Sequence, residues 1–208
     1  MPAGPRRIGL DFDNTIIRYD EVFRQVAVGR GLVPADLPPT KTAVRDFLRR
    51  AGREPAWTEL QGVVYGPGIG AAEPFPGVLD FFRACRRDGM AVCIISHKTR
   101  VPYAGEPHDL HAAAMGWLEA QGFFRPDGIG LARADVWFEE TKAGKLARIA
   151  ERGCTHFLDD LPELLTDPAF PAIGGRCLFD PGGGCTLALP FPKVASWAEF
   201  GRLVGVAL

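Results

Sequence analysis

Short apolar runs recur along the chain, and each ends in a polar or turn-forming stretch. They are residues 6–12 (RIGLDFD), 90–96 (MAVCIIS), 134–140 (ADVWFEE), 154–160 (CTHFLDD) and 176–181 (RCLFDP). Continuous runs of this length and β-branched content suit strands buried on both faces of a parallel sheet. Helical periodicity fills the gaps. GVLDFFRACRRDG places Val78, Leu79, Phe82 and Cys85 on one face and stops at Gly89. LHAAAMGWLEAQG stops in the same way at Gly122. TKAGKLARIAERG opens with Thr141 as N-cap, turns Leu146, Ile149 and Ala150 inward and stops at Gly153. This alternation predicts an α/β fold with a doubly wound parallel sheet. Residues 19–75 interrupt it. They carry two helical patterns, near 20–30 and 41–51, and then the glycine- and proline-rich YGPGIGAAEPFPG. The expected organisation is a core of residues 1–18 and 76–208 with a small helical insert at 19–75.

Composition narrows the setting. With 208 residues, 47% of them hydrophobic, the chain can bury roughly 70% of its unfolded surface and needs no metal or disulfide staple. A net charge of -1 gives no electrostatic case for a nucleic-acid polymer or an anionic membrane as partner. The five cysteines are odd in number and lack zinc-knuckle spacing; Cys93 and Cys154 sit in apolar text as small core residues. A reduced, cytoplasmic protein is expected. MPAGPRRIGL has no apolar stretch of signal-peptide length before Asp11, and no window approaches the roughly 18 apolar residues of a membrane span. The pattern sets no oligomeric state. Trp57 and Trp197 are expected at the surface, in an interface or as packing residues.

The strand ends carry the chemistry. In an open α/β sheet, ligands bind outside the carboxyl ends of the strands. The first run ends in Asp11 and Asp13, followed by Asn14 and Thr15. The second ends in Ser96, then His97 and Lys98. The third leads into a helix opened by Thr141 and Lys142. The fourth ends in Asp159 and Asp160. Each piece has an ordinary reading: Asp-x-Asp before a turn, a capping serine, a solvated first-turn lysine. The adjacent acids Asp159 and Asp160 are harder to dismiss, because they need a neutralising partner. Together the four pieces favour one site. Other features weigh little. GPGIG lacks the Lys-Ser/Thr of a phosphate-binding loop. His108 and His111 have no adjacent acidic ligand motif, and His156 lies inside a strand. DFDNTI fails as a calcium loop, with Ile16 at the required glycine and Val22 at the required glutamate.

On these residues the chain resembles the haloacid dehalogenase (HAD) superfamily. Asp11-Phe12-Asp13-Asn14-Thr15 is similar to its first motif, DxDxT. Ser96 is similar to the second-motif Ser/Thr, Lys142 to the third-motif lysine, and Asp159-Asp160 to the acidic fourth motif. The insert stands where that superfamily places a C1 cap. The resemblance covers residues 6–200 apart from the insert. It implies a HAD-like Rossmannoid core and a phosphatase-type hydrolase. Asp11 would be the nucleophile that forms an aspartyl-phosphate. Asp13 would protonate the leaving oxygen and then activate water. Ser96 would hold a phosphoryl oxygen, and Lys142 would neutralise charge. Mg²⁺ would be the cofactor, held by Asp11, the backbone carbonyl of Asp13, and Asp160 or Asp159. Asp13 favours a phosphatase over a dehalogenase, since a halide needs no acid to leave. Lys145 and Lys98 compete with Lys142 for the lysine role; Lys142 is preferred because it sits at the helix mouth.

The expected substrate is a small phosphorylated metabolite. Asn14, Thr15, Arg18, His97 and Lys98 are the candidate substrate contacts, with Tyr19, Arg100 and Tyr103 as further guesses. Specificity is expected from the insert and from residues 97–110. Three rival functions remain open. A phosphomutase or phosphotransferase would use the same site. A glycosyltransferase would use Asp11 and Asp13 as a metal-binding DxD but leaves the other motifs unexplained. A non-catalytic phosphate-binding or signalling module would gather similar residues, although in a receiver domain the acid pair comes first and not fourth.

Overall fold

The structure is a computed structural model that describes residues 6–208; residues 1–5 of the expected core segment 1–18 lie outside the described residues. In chain order the elements are β1 (Arg7–Leu10), β2 (Ile17–Arg18), α1 (Asp20–Gly29), α2 (Lys41–Arg50), α3 (Glu54–Tyr65), β3 (Glu73–Pro74), α4 (Val78–Arg87), β4 (Ala91–His97), α5 (Leu110–Ala120), β5 (Val136–Glu139), α6 (Lys142–Glu151), β6 (His156–Asp159), α7 (Pro162–Leu165), β7 (Gly175–Phe179), β8 (Lys193–Val194) and α8 (Trp197–Val204). Six strands form one sheet in the order β5-β4-β1-β6-β7-β8, and every neighbouring pair is parallel. The strands β2 and β3 form a separate two-stranded ribbon. Among the described residues no helix is long and apolar enough to cross a membrane.

The chain divides into two compact units. The first holds the residues up to Ile16, Pro74–His97 and Gly122–Leu208. Its sheet is covered by helices, as the continuous apolar strands require. Cys93 and Ile95 of β4 join Leu146 and Ile149 of α6, Phe157 of β6 and Leu164 and Leu165 of α7 in one buried cluster. The alternate residues Val92 and Ile94 point the other way, and α4 packs on β4 and on α8. The expected N-cap is present: the Thr141 hydroxyl accepts from the Gly144 amide at 3.0 Å. The sheet is closely packed at Gly9, paired with Cys93 on one side and Phe157 on the other. The Cys93 and Cys154 sulfurs meet there at 3.8 Å. A methyl group on Gly9 would stand 2.5 Å from the Phe157 ring and 2.8 Å from the Cys154 sulfur. Phe157 is fully buried and cannot swing aside. Gly9→Ala is therefore expected to destabilise the fold by about 1–3 kcal/mol, the usual cost of overpacking. Urea unfolding monitored by circular dichroism checks this, and an unchanged midpoint would contradict it.

The second unit holds Ile17–Glu73 together with Lys98–Gln121. This division groups 98–121 with the insert, where the expected boundaries left them in the core. Its helix α5 packs against α3 and the 3₁₀ turn Pro67–Ala71. The Trp117 indole donates to the Ala72 carbonyl at 2.8 Å. The helix α3 is also absent from the expected pattern. Pro55 stands at its start, which a helix tolerates, and Gly62 lies inside it. That glycine has a packing reason, because a side chain there would fall 2.8 Å from Pro102. Trp57 and Trp197 are both buried, so both are packing residues. Trp57 stacks on Phe23 at 5.1 Å, and Trp197 meets Phe81 edge-on at 5.1 Å.

Candidate active site

The loop that follows β1 is shaped by its own residues. Phe12 is fully buried and packs edge-on against Phe138 at 5.5 Å. The chain then turns sharply, with the Ile16 amide bonded to the Phe12 carbonyl at 3.0 Å. Asn14 takes a φ of 58°, the left-handed region, and among the described residues it is the one non-glycine to do so. Asparagine tolerates that region better than most residues. From behind, the Trp197 indole donates to the Thr15 carbonyl at 3.2 Å. The Thr15 hydroxyl is buried and has no hydrogen-bond partner among the described residues.

This turn delivers Asp11 into a buried charge cluster. Ser96, at the end of the adjacent β4, donates to Asp11 Oδ1 at 2.8 Å. Lys145 Nζ donates to the same Oδ1 at 2.5 Å and to Asp159 Oδ2 at 2.6 Å. Asp159 Oδ1 accepts the Leu161 amide at 2.9 Å. Asp11 Oδ2 has no bond among the described residues. One oxygen of Asp11 is thus pinned by two donors while its second is left over, and Asp159 has both oxygens engaged.

The structure brings Lys145, the alternative to the preferred Lys142, to Asp11 and Asp159. Lys142 is exposed and pairs with Asp167 at 2.5 Å. That hydrogen bond holds the Asp167 carboxyl below the usual carboxylate range. The physical reason lies in helix geometry. Side chains lean toward the N-terminus of their helix, so a long lysine one turn into α6 reaches back to the strand ends. Lys142, in the first turn, overshoots them. Periodicity carried this signal: Lys145 shares a face with Leu146 and Ile149, all buried, whereas Ala150 is exposed and not inward.

Burial opposes the charge on Lys145, but Asp11 and Asp159 outweigh it and hold the ammonium above its ordinary pKa. Burial, with Lys145 opposing it and Asp11 adding to it, leaves Asp159 raised to about 7. Asp11 and Asp159 share the one ammonium of Lys145. Asp11, Asp159 and Asp160 can each offer an oxygen, all within 4.8 Å of one another. Hard carboxylate oxygens grouped in this way fit a hard divalent cation such as Mg²⁺. The Asp13 carboxylate, half-buried at the rim, is not part of that trio.

The other expected contacts can each be located. His97 is exposed, and its Nε2 donates to the Glu140 carbonyl at 3.2 Å. Arg18 and Lys98 belong to the helical unit. Arg18 pairs with Glu73 at 3.1 Å. Lys98 is buried, and its ammonium lies 4.7 Å from the centre of the Tyr65 ring, a cation–π arrangement.

Neither a protein-family model nor a curated protein matches the sequence. Solved structures do. A HAD family hydrolase from Deinococcus radiodurans, with bound phosphate and sodium, aligns over 98% of this chain and 96% of its own at 14% identity and a TM-score of 0.61. A haloacid dehalogenase-like family protein from Streptococcus pneumoniae aligns over 97% and 98% at 12% identity and 0.59. A HAD-hydrolase from Bacillus subtilis bound to magnesium aligns over 97% and 99% at 13% identity and 0.57. The fold is therefore that of the HAD hydrolases. Within it, this chain places an aspartate, a serine, a lysine and an acid pair together at the carboxyl edge of the central strands.

Proposed function

We propose that the protein is a Mg²⁺-dependent phosphomonoester hydrolase acting through an aspartyl-phosphate on Asp11. The observation that carries this reading is the state of Asp11: Oδ1 is held by Ser96 and Lys145, while Oδ2 has no bond among the described residues. A carboxylate oriented in this way is a positioned nucleophile. The reading is also supported by relatives of the same fold, one holding phosphate and another magnesium.

Asp11 Oδ2 attacks phosphorus, and the bond from phosphorus to the ester oxygen breaks. Asp13 gives its proton to that leaving oxygen. It then takes a proton from water, which attacks phosphorus, releases inorganic phosphate and restores the Asp11 carboxylate. Lys145 holds Asp11 in line and offsets the growing negative charge; Ser96 fixes the carboxylate from the neighbouring strand. Asp11, Asp160 and the Asp13 carbonyl would hold Mg²⁺, with Asp159 behind them tied to Lys145. When bound, the cation offsets the repulsion between an anionic nucleophile and an anionic phosphoryl group. Small phosphorylated metabolites are the substrate class.

Two outcomes test this. Phosphate release from a panel of phosphomonoesters should need Mg²⁺ and stop with EDTA; turnover that survives chelation overturns the reading. A phosphoryl group recovered on an added alcohol, with no inorganic phosphate released in its absence, would make the enzyme a phosphotransferase. Metal affinity should also depend on pH. With Asp159 near 7, a proton neutralises it below that value and leaves it charged above, so Mg²⁺ binds more weakly as pH falls through about 7. Thermal shift with Mg²⁺ at about pH 6 and about pH 8 reads this, and equal affinity at both would contradict it.

A further inference from the structure

The opposite edge of the sheet carries a feature that hydrolysis leaves unused. A cleft of about 310 Å³ opens there, lined by Arg7 at the start of β1, Val92 at the start of β4, Phe82 and Arg86 near the end of α4, Met90, and the loop around Ile129 and Leu131. The strand β1 runs from Arg7 toward Asp11. Four residues at about 3.3 Å each put the cleft roughly 13 Å from the proposed nucleophile. The two sites are therefore separate.

Two arginines give the cleft its chemistry. Arg7 is half-buried, and among the described residues its guanidinium makes no hydrogen bond or ion pair. Arg86 is held at the rim, where Nη1 donates to the Gly128 carbonyl at 2.6 Å. The loop wraps closely around that guanidinium at Gly130, which has a φ of 65°. A side chain there would lie 2.7 Å from Nη1. Asp135 also lines the cleft but is bonded to Arg152 at 3.3 Å, so its charge is already opposed. The other walls are largely apolar. Cys85 is one of them: burial pushes its thiol up to about 12, so it stands there as a neutral group.

A half-buried guanidinium with unused donors, beside apolar walls, suits a planar or tetrahedral oxyanion attached to an apolar body. We propose that this cleft is a second, non-catalytic binding site for a small organic oxyanion, a phosphate or a carboxylate, carried on an aromatic or aliphatic group. The class is set by the two arginines and by Phe82, Met90, Ile129 and Leu131, which line the same cleft.

The probe is 8-anilinonaphthalene-1-sulfonate, which joins an oxyanion to an aromatic body and fluoresces when sheltered from water. Titration of the full chain should saturate. Arg7→Gln and Arg86→Gln should each weaken binding by about tenfold or more, the usual worth of a charge-assisted hydrogen bond. Asp11→Asn should bind like the wild type. If Arg7→Gln fails to fold, Arg86→Gln on the exposed rim carries the test alone. Displacement by phenylphosphonate assigns the phosphate class, and displacement by phenylacetate the carboxylate class. Displacement by neither, unchanged affinity in the arginine variants, or lost affinity in Asp11→Asn overturns the proposal.

Discussion

Lys145→Met should cost about 10²–10³-fold in kcat, whereas Lys142→Ala should leave kcat close to wild type. The magnitude is that of losing one preorganised donor to a site where charge develops. Lys145 holds Asp11 and Asp159 at once, at 2.5 and 2.6 Å. Methionine keeps the apolar stem and removes both bonds. The same change should destabilise the metal-free protein by about 3–5 kcal/mol, because it leaves two buried carboxylates facing each other without their cation. Added Mg²⁺ should recover part of that loss by supplying positive charge in the same cluster. Steady-state kinetics and urea unfolding with and without Mg²⁺ read all three effects. A Lys145→Met enzyme with wild-type kcat, or an inactive Lys142→Ala, would return the site to the first-turn lysine.

Asp11→Asn should lower kcat by at least about 10⁴-fold, the scale seen when a covalent nucleophile is removed. The amide keeps the shape and accepts from Ser96, but it cannot form the acyl-phosphate. Folding should survive: Lys145 retains Asp159, and the like charge that raises Asp159 is gone. Circular dichroism separates loss of chemistry from loss of fold. Residual activity within tenfold of wild type would remove Asp11 from the role of nucleophile.

Much of the architecture is written locally and could be read without coordinates. The apolar runs ending at Ser96 and Asp159, and the Thr141 cap, follow from short-range patterns, and each lies where it was expected. The grouping of Asp11, Ser96 and the acid pair follows from one topological rule, that strand ends in a parallel sheet share an edge. What could not be read depends on side-chain direction and long-range packing. Choosing between Lys142 and Lys145 needs the backward lean of helical side chains, not their position in the text. Helix α5 looks like any sheet-covering helix; only the Trp117–Ala72 bond and its packing on α3 place it with the insert. The burial of Trp57 and Trp197 depends on Phe23 and Phe81, each distant in sequence. The Arg7 cleft is legible only once the starts of β1 and β4, the end of α4 and the 129–132 loop are brought together.

The central claim is that Asp11 carries the phosphoryl group. Rapid acid quench during turnover of a phosphomonoester with Mg²⁺, followed by peptide mass spectrometry, tests it most directly. The account predicts a phosphoryl adduct on the peptide containing Asp11, present in the wild type and absent in Asp11→Asn. Phosphate release with no adduct on Asp11 at any quench time, or an adduct on another residue, would contradict it.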